Sequence, residues 1–274
     1  MPKKNPKPPT FIGIDLAWSD RNPSGVAVIF EDRLTAYAGN LVGDDEILGF
    51  VRTHLDDKGP AIITVDAPLR VPNDHGSRPC DRDLSRVWRG YEAGALPVNR
   101  HILGRTAGDG SAVVRGERLV EQLVQRFRFS EVAVIPKRTQ DRFVCEVFPH
   151  PALVSFFGLD KSLKYKARRG RDYESRWAEL ERYQALLRTL RQADPVLKRT
   201  KALLTGTDVR SLRGAALKEH EDILDAVTCA YIGAYLWRHG PRRATTYGSL
   251  PEGSILVPIT PEMKGRLKVQ AEKA

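Results

Sequence analysis

The sequence has few cysteines and no long apolar segment. Its 274 residues include only three cysteines, Cys80, Cys145 and Cys229, which lie far apart. They show no paired metal-ligand spacing, and they are too few for a disulfide framework in a chain of this length. We therefore expect a reducing, cytoplasmic environment. The apolar runs are far shorter than the roughly 20 residues that a membrane-spanning helix needs, so we expect neither a transmembrane helix nor a membrane partner.

The first residues also lack the apolar stretch of a secretory signal. Residues 1–10 are basic and rich in proline, which predicts a disordered leader. Residues 11–260 are expected to form a single domain with insertions near 70–110 and 160–210. A C-terminal tail is expected over 261–274.

Acidic residues are outnumbered by basic ones. The chain has 44 Lys and Arg against 34 Asp and Glu, which gives a formal net charge of +10. Such a chain attracts polyanions, because each phosphate contact releases condensed counterions. Nucleic acid is therefore the leading partner on charge alone, although a basic balance can also serve only solubility.

The first half of the chain has the pattern of a mixed sheet. The apolar run FIGIDLAW (residues 11–18) predicts a buried strand with one embedded carboxylate, Asp15. Strands over 25–30 and 33–42 would follow it in an antiparallel meander. A helix over 44–55 then leads to a strand over 61–66, which should run parallel to the first because a helical crossover joins them. We therefore predict an α/β fold.

The rest of the chain is less regular. Residues 70–110 are polar and rich in glycine and proline, and they are predicted to form an active-site loop or flap. A strand over 142–148 carries Glu146, and a dense basic run over 161–171 precedes a helix over 173–192. A long helix over 217–239 ends at Gly240 and Pro241, and residues 253–259 are predicted to add an edge strand.

Two aspartates lie three residues apart on that long helix, so Asp222 and Asp225 share one face. With Asp15 and Asp66 at the ends of two parallel strands, four carboxylates could converge. Carboxylates so close together repel one another, so a bound cation would stabilise their charged forms. Mg²⁺ and Mn²⁺ are the cations that prefer oxygen ligands. Two such ions about 4 Å apart would activate a water and stabilise the leaving oxygen of a phosphodiester.

Each acidic residue also has a simpler interpretation. Asp15 and Asp66 could cap turns at their strand ends, and Asp222 could be a solvated helix residue. Glu146 could be paired with one of the many arginines.

Five motifs together resemble a known family. GIDLAW, VDAPL, CEVFPHP, YKARRGR and DILDAVTCAYIGAY follow one another between Phe11 and Pro258. In this order they resemble a family of predicted nucleases with an RNase H-like fold, catalogued as domain-of-unknown-function family four-two-nine. Resolvases of the RuvC type are a more distant likeness, through a GID-like motif on the first strand and a DxxDA pattern on the last helix. Those enzymes have a glutamate where this chain has Asp66.

The resemblance implies an RNase H-like mixed sheet flanked by helices, with loop and helical insertions, and a set of site residues. Metal binding and catalysis would fall to Asp15, Asp66, Asp222 and Asp225. Glu146 would be a further catalytic residue of undefined role. Substrate phosphates would be bound by Lys166, Arg169 and Arg171.

Our first hypothesis is a metal-dependent nuclease acting on DNA or RNA, with Asp15 and Asp225 as principal ligands of Mg²⁺ or Mn²⁺. As in junction resolvases, a homodimer is possible. One alternative is a non-catalytic nucleic-acid-binding protein. The other is a phosphotransferase of the actin and sugar-kinase type, but LAWSDRNPSG stands where that class has a glycine-rich phosphate-binding hairpin.

Overall fold

The computed structural model describes residues 7–106 and 112–272. Its strands, in chain order, are β1 (Thr10–Asp15), β2 (Pro23–Phe30), β3 (Arg33–Val42), β4 (Ala61–Asp66), β5 (Arg105–Thr106), β6 (Ala112–Val113), β7 (Ser130–Glu131), β8 (Arg142–Glu146), β9 (Ala244–Ser249) and β10 (Gly253–Pro258). One sheet has the strand order β3-β2-β1-β4-β8-β7. β1, β2 and β3 pair antiparallel, whereas β1, β4, β8 and β7 are parallel. The predicted α/β class and antiparallel meander are confirmed, and the architecture is compatible with an RNase H-like fold.

Helices cover both faces of this sheet. They are α1 (Gly43–His54), α2 (Pro79–Trp88), α3 (Arg100–Leu103), α4 (Arg115–Phe127), α5 (Pro149–Phe157), α6 (Tyr173–Thr189), α7 (Lys201–Leu204), α8 (Gly214–His239) and α9 (Pro261–Glu272). Apolar residues of α1 and α4 bury one face of the sheet, and those of α5, α6 and α8 bury the other. Within the described ranges, no helix combines the length and apolar character that crossing a bilayer requires.

The alternation of side chains along β1 determines on which face of the sheet Asp15 lies. Ile12 and Ile14 belong to the core under α1 and α4, whereas Phe11 belongs to the core under α8. Because successive residues of a strand point to opposite faces, Asp15 shares the face of Phe11 and of α8.

Three glycines let α8 cross the sheet in backbone contact. Gly13, Gly25 and Gly39 lie on the three neighbouring strands β1, β2 and β3. A Cβ atom on any of them would come within 2.0–2.5 Å of a backbone oxygen of α8. One strand further along, Thr64 donates a hydrogen bond to the backbone oxygen of Cys229 (2.6 Å). The position of α8 over the carboxyl end of β1 is therefore fixed by close backbone contact.

The predicted loop or flap over 70–110 contains a packed helix. Cys80, Leu84 and Trp88 of α2 are fully buried, and the Trp88 indole nitrogen donates to Tyr247 Oη (2.8 Å) on β9. The prediction of an irregular segment was wrong for this part, because α2 exposes a strongly charged face and buries only a narrow apolar one. Residues 107–110 of the predicted segment lie outside the described residues.

The two ends of the chain also differ from expectation. Residues 1–6 of the predicted leader lie outside the described residues, and Thr10 already belongs to β1. β10 pairs with β9 in a separate hairpin, and among the described residues its backbone bridge towards the main sheet joins Leu256 to Val147, just after β8, so it is not an added edge strand. The predicted tail contains α9, whose Met263 is buried against the domain.

Candidate functional site

Four of the sequence-predicted carboxylates meet at one end of the sheet. Asp15 and Asp66 are register partners at the carboxyl ends of β1 and β4. From α8, the Asp222 carboxyl comes close enough to that of Asp15 for a hydrogen bond if one of the two is protonated. Asp225 also interacts with Asp15 and Asp66 through its charge. The predicted convergence is therefore present in the fold.

Burial and mutual repulsion disfavour the charged forms of two of these groups. Burial raises the pKa of Asp15 well above its usual value, and the charges of Asp225 and Asp222 raise it further. The pKa of Asp66 is likewise raised well above its usual value by burial and by the neighbouring Asp15. Both groups therefore favour their protonated forms more strongly than an ordinary aspartate does.

The main positive charge among these carboxylates is an ammonium group. Lys166 Nζ lies 2.9 Å from Asp225 Oδ2, and its charge also lowers the pKa values of Asp15 and Asp66. Burial alone would lower the pKa of Lys166, but Asp225, Asp15 and Asp66 together hold it well above its usual value. Lys166 therefore points towards the carboxylates, and its predicted contact with substrate phosphate stays a prediction.

Two tyrosine hydroxyls that sequence reasoning missed hold the other oxygen of Asp225. Tyr165 donates to Asp225 Oδ1 over 2.6 Å and Tyr183 over 3.1 Å. Burial alone would raise the pKa of Asp225, but Lys166 and the hydrogen bonds hold it below its usual value. In this fully buried carboxylate, Oδ1 therefore has two hydrogen-bond donors, whereas Oδ2 has the Lys166 ammonium as an ion-pair partner and no further hydrogen bond.

Asp222 is less completely paired. Its Oδ1 accepts from Lys218, one helical turn earlier, whereas its Oδ2 is buried and has no hydrogen-bond donor. Burial raises the pKa of Asp222. An unpartnered carboxylate oxygen beside a second carboxyl group is a position that a proton or a cation would stabilise.

These residues suit a hard divalent cation in their chemistry. Asp15, Asp66 and Asp222 offer only oxygen donors, which is the ligand type of Mg²⁺ and Mn²⁺. In the arrangement described, no three His, Cys, Asp or Glu side chains of residues 7–106 and 112–272 lie close enough together to hold an ion. Lys166 already supplies positive charge at this place.

Glu146 belongs to a separate network. Arg78 donates to both of its oxygens (2.6 and 2.9 Å), and the backbone nitrogen of Leu69 donates to Oε2 (3.0 Å). The same guanidinium pairs with Asp81 (2.8 Å). The ion-pair interpretation of Glu146 thus describes its contacts, and its catalytic role stays a prediction.

A cavity of about 420 Å³ opens above both networks. Its lining includes Asp15, Asp66 and Glu146. Basic residues of the segment 164–171 line it as well: Lys164, Lys166, Arg168 and Arg171. Trp18 also lines it and is 45% exposed.

The two arginines predicted to bind phosphate have different positions. Arg171 lines the cavity and donates to the backbone oxygen of Lys166 (2.6 Å). Arg169 is exposed and does not line the cavity, whereas its neighbour Arg168 does. Both residues lie in an irregular segment, for which sequence alone does not give the directions of the side chains.

The profile of one protein family matches residues 13–248, and that family is described as a protein of unknown function (DUF429). The chain belongs to the DUF429 family. Neither a curated protein nor a solved structure matches the chain. The match spans both buried networks, from Asp15 to Asp225.

One further buried group of this DUF429 chain faces the basic segment. His150 stacks on Tyr165 with 5.7 Å between ring centroids, and its Nδ1 lies 2.8 Å from Ser162 Oγ. Burial and the charge of Lys166 lower the pKa of His150 to about 4. The imidazole is therefore neutral at pH 7.

Proposed function

We propose that this chain is a metal-dependent phosphodiesterase that cleaves DNA or RNA. The observation that supports the proposal most is the meeting of four carboxylates beside a cavity that basic side chains line. Acidic oxygen ligands suit the metal, and the basic side chains suit the phosphates.

In this proposal Asp15, Asp66 and Asp222 would hold the cation, which requires their side chains to come closer together than in the arrangement described. Asp225, whose two oxygens are paired, instead orients Lys166 beside the other carboxylates. A bound Mg²⁺ or Mn²⁺ would supply Lewis-acid activation of water and stabilisation of charge on the leaving oxygen. This assignment differs from the sequence-based hypothesis, which made Asp225 a principal ligand.

The chain's own basic residues hold the substrate. Lys164, Arg168 and Arg171 line the same cavity as Asp15 and Asp66, so they can bind the non-bridging oxygens of a phosphodiester. The guanidinium groups favour bidentate contacts with phosphate. These contacts orient the ester towards Asp15 and Asp66.

The test is cleavage of labelled DNA and RNA oligonucleotides with Mg²⁺, with Mn²⁺ and with a chelator. Asp15→Asn should lower metal-dependent cleavage by about 100-fold or more, because a ligand is lost. Asp57→Asn is the matched control, because Asp57 is exposed and is not one of the candidate site residues. This variant should cleave normally. Equal cleavage by the wild type and by Asp15→Asn would remove Asp15 from the mechanism.

A second candidate, a non-catalytic nucleic-acid-binding protein, is favoured by the pair of Lys166 and Asp225. This pair partly compensates the carboxylates without a metal ion. Calorimetric titration with Mn²⁺ separates the two candidates. Salt-sensitive oligonucleotide binding with no heat of metal binding and no cleavage would select the second.

A further inference from the structure

A second cavity adjoins the one described above. It has a volume of about 550 Å³ and shares the lining residues Asp81 and Ala95 with the first cavity. Most of its remaining lining comes from α2, from the segment just before it and from the first residue after it: Ser77, Arg82, Ser85, Arg86 and Arg89. The two cavities therefore form neighbouring parts of one surface.

The arginines of the second cavity lie on one face of α2 and of its C-cap residue Arg89, which keeps helical backbone angles. Arg82, Arg86 and Arg89 have the spacing i, i+4 and i+7, which aligns side chains on one side of a helix. All three are exposed, whereas Leu84 and Trp88 on the opposite side are buried. At 1.5 Å of rise per residue, the stripe extends for about 10 Å along the helix.

The positive charge of this stripe is mostly uncompensated. Arg86 pairs with Asp83 at 3.2 Å, but both side chains are exposed and such a pair is weak. Within the described residues, Arg82 and Arg89 form no ion pair. Asp81, the carboxylate of the second cavity, is turned to Arg78 (2.8 Å).

We propose that Arg82, Arg86 and Arg89, the α2 arginine stripe, bind the phosphodiester backbone of a single-stranded nucleic acid. The adjacent nucleotides of the same strand would enter the first cavity. The inference rests on the proposed function and names its substrate class, a polymer. A small phosphoester would occupy the first cavity alone and would leave the stripe without a ligand. An extended strand has further phosphates that reach it.

Unpaired bases also find suitable surfaces in the adjoining first cavity. Trp18 and Leu96 line the first cavity and are 45% and 58% exposed. Bases of a single strand stack on exposed aromatic side chains, whereas bases within a duplex already stack on each other. This arrangement favours a single strand over a duplex.

The test is binding of fluorescently labelled single-stranded DNA and RNA, measured by anisotropy over a series of salt concentrations with a chelator present. The triple variant Arg82→Gln, Arg86→Gln, Arg89→Gln should lower the slope of log K against log salt by about 2, since each single-strand phosphate contact contributes about 0.7. The tighter of the two oligonucleotides identifies the natural backbone.

The matched control is Arg126→Gln, Arg182→Gln, Arg191→Gln. It removes the same net charge from exposed positions that line neither cavity. Equal slopes for the two triple variants would overturn the inference, and so would binding of a duplex as tight as that of the single strand. Manganese-dependent hydrolysis of bis-p-nitrophenyl phosphate by the wild type tests the proposed function separately, since that small ester requires no polymer contact.

Discussion

Two networks of buried charge lie side by side beneath the first cavity, and they differ in how well their charges are matched. Around Arg78, one guanidinium serves Glu146 and Asp81 through bidentate contacts. Around Asp15, four carboxylates share two lysines, and Asp222 keeps an oxygen without a donor. We call them the Arg78 network and the Asp15 cluster.

This difference suggests different roles for the buried carboxylates: a structural role in the Arg78 network and a functional role in the Asp15 cluster. In the Arg78 network, bidentate hydrogen bonds from Arg78 lower the pKa of Glu146, although burial still leaves it above its usual value. In the Asp15 cluster, burial raises the pKa values of Asp15 and Asp66 because compensation is incomplete. Strong pKa shifts of this kind are concentrated at functional sites.

The largest effect is expected on breaking the Arg78 network. Arg78→Met would leave two buried carboxylates without their cation and should lower the free energy of unfolding by about 3–5 kcal/mol. Urea unfolding measures this. Arg86→Met, which lies on the same helix in an exposed ion pair, should change it by less than about 1 kcal/mol. A similar small loss for both variants would contradict the assigned role of Arg78.

The Asp15 cluster should respond in the opposite direction. Asp15→Asn removes a carboxyl whose folded-state pKa is raised, so at pH 8 without metal it should increase the free energy of unfolding. The gain should shrink as pH falls, because protonation then relieves the wild type. Asp44→Asn, at a buried aspartate paired with Arg115 (2.8 Å) and Arg118 (2.7 Å), should instead destabilise the chain. Urea unfolding at two pH values checks both signs.

A pH-dependent contrast is expected at His150, beside the Asp15 cluster. Its folded pKa of about 4 lies below the ordinary 6.5, so its contribution to stability is present above pH 6.5 and is lost as pH falls towards 4. Between pH 7 and 4.5 the loss amounts to about 2 kcal/mol. On acidification from pH 7 to 4.5, the free energy of unfolding of His150→Gln should therefore fall by about 2 kcal/mol less than that of the wild type, as measured by urea unfolding. Parallel pH curves for variant and wild type would refute a buried, neutral imidazole.

The smallest effect is expected at Tyr165. Tyr165→Phe removes one of two hydroxyl donors to Asp225 Oδ1, and Tyr183 remains. The free energy of unfolding should fall by about 1 kcal/mol, near the value of a single net hydrogen bond. Tyr173→Phe is the control, because its hydroxyl accepts only from the exposed Gly214 nitrogen. An unchanged stability of Tyr165→Phe would show that the second tyrosine compensates fully.

The sequence contains much of the framework of the candidate site. Asp15 and Asp66 end strands whose helical crossover predicts parallel pairing, and the spacing of Asp222 and Asp225 places both on one helical face. Such local periodicities survive folding because the sheet and α8 follow them.

The partners of these carboxylates could not be predicted in the same way. Arg78 lies 68 residues from Glu146, in a segment whose charged face hides its helical pattern. Tyr183 approaches Asp225 from α6, which is mostly polar in sequence, and no periodicity selects it. The direction of Lys166 depends on the path of an irregular segment. These contacts depend on tertiary packing.

The three glycines beneath α8 have a consequence for variation within this fold. Because helix and sheet meet through main-chain atoms there, the separation of Asp15 from Asp222 does not depend on the size of core side chains. Stabilising substitutions elsewhere in the core can therefore accumulate without changing the distances among the carboxylates of the Asp15 cluster. A single added methyl group at Gly13 or Gly25 would push α8 away from the sheet and increase the distance between Asp15 and Asp222.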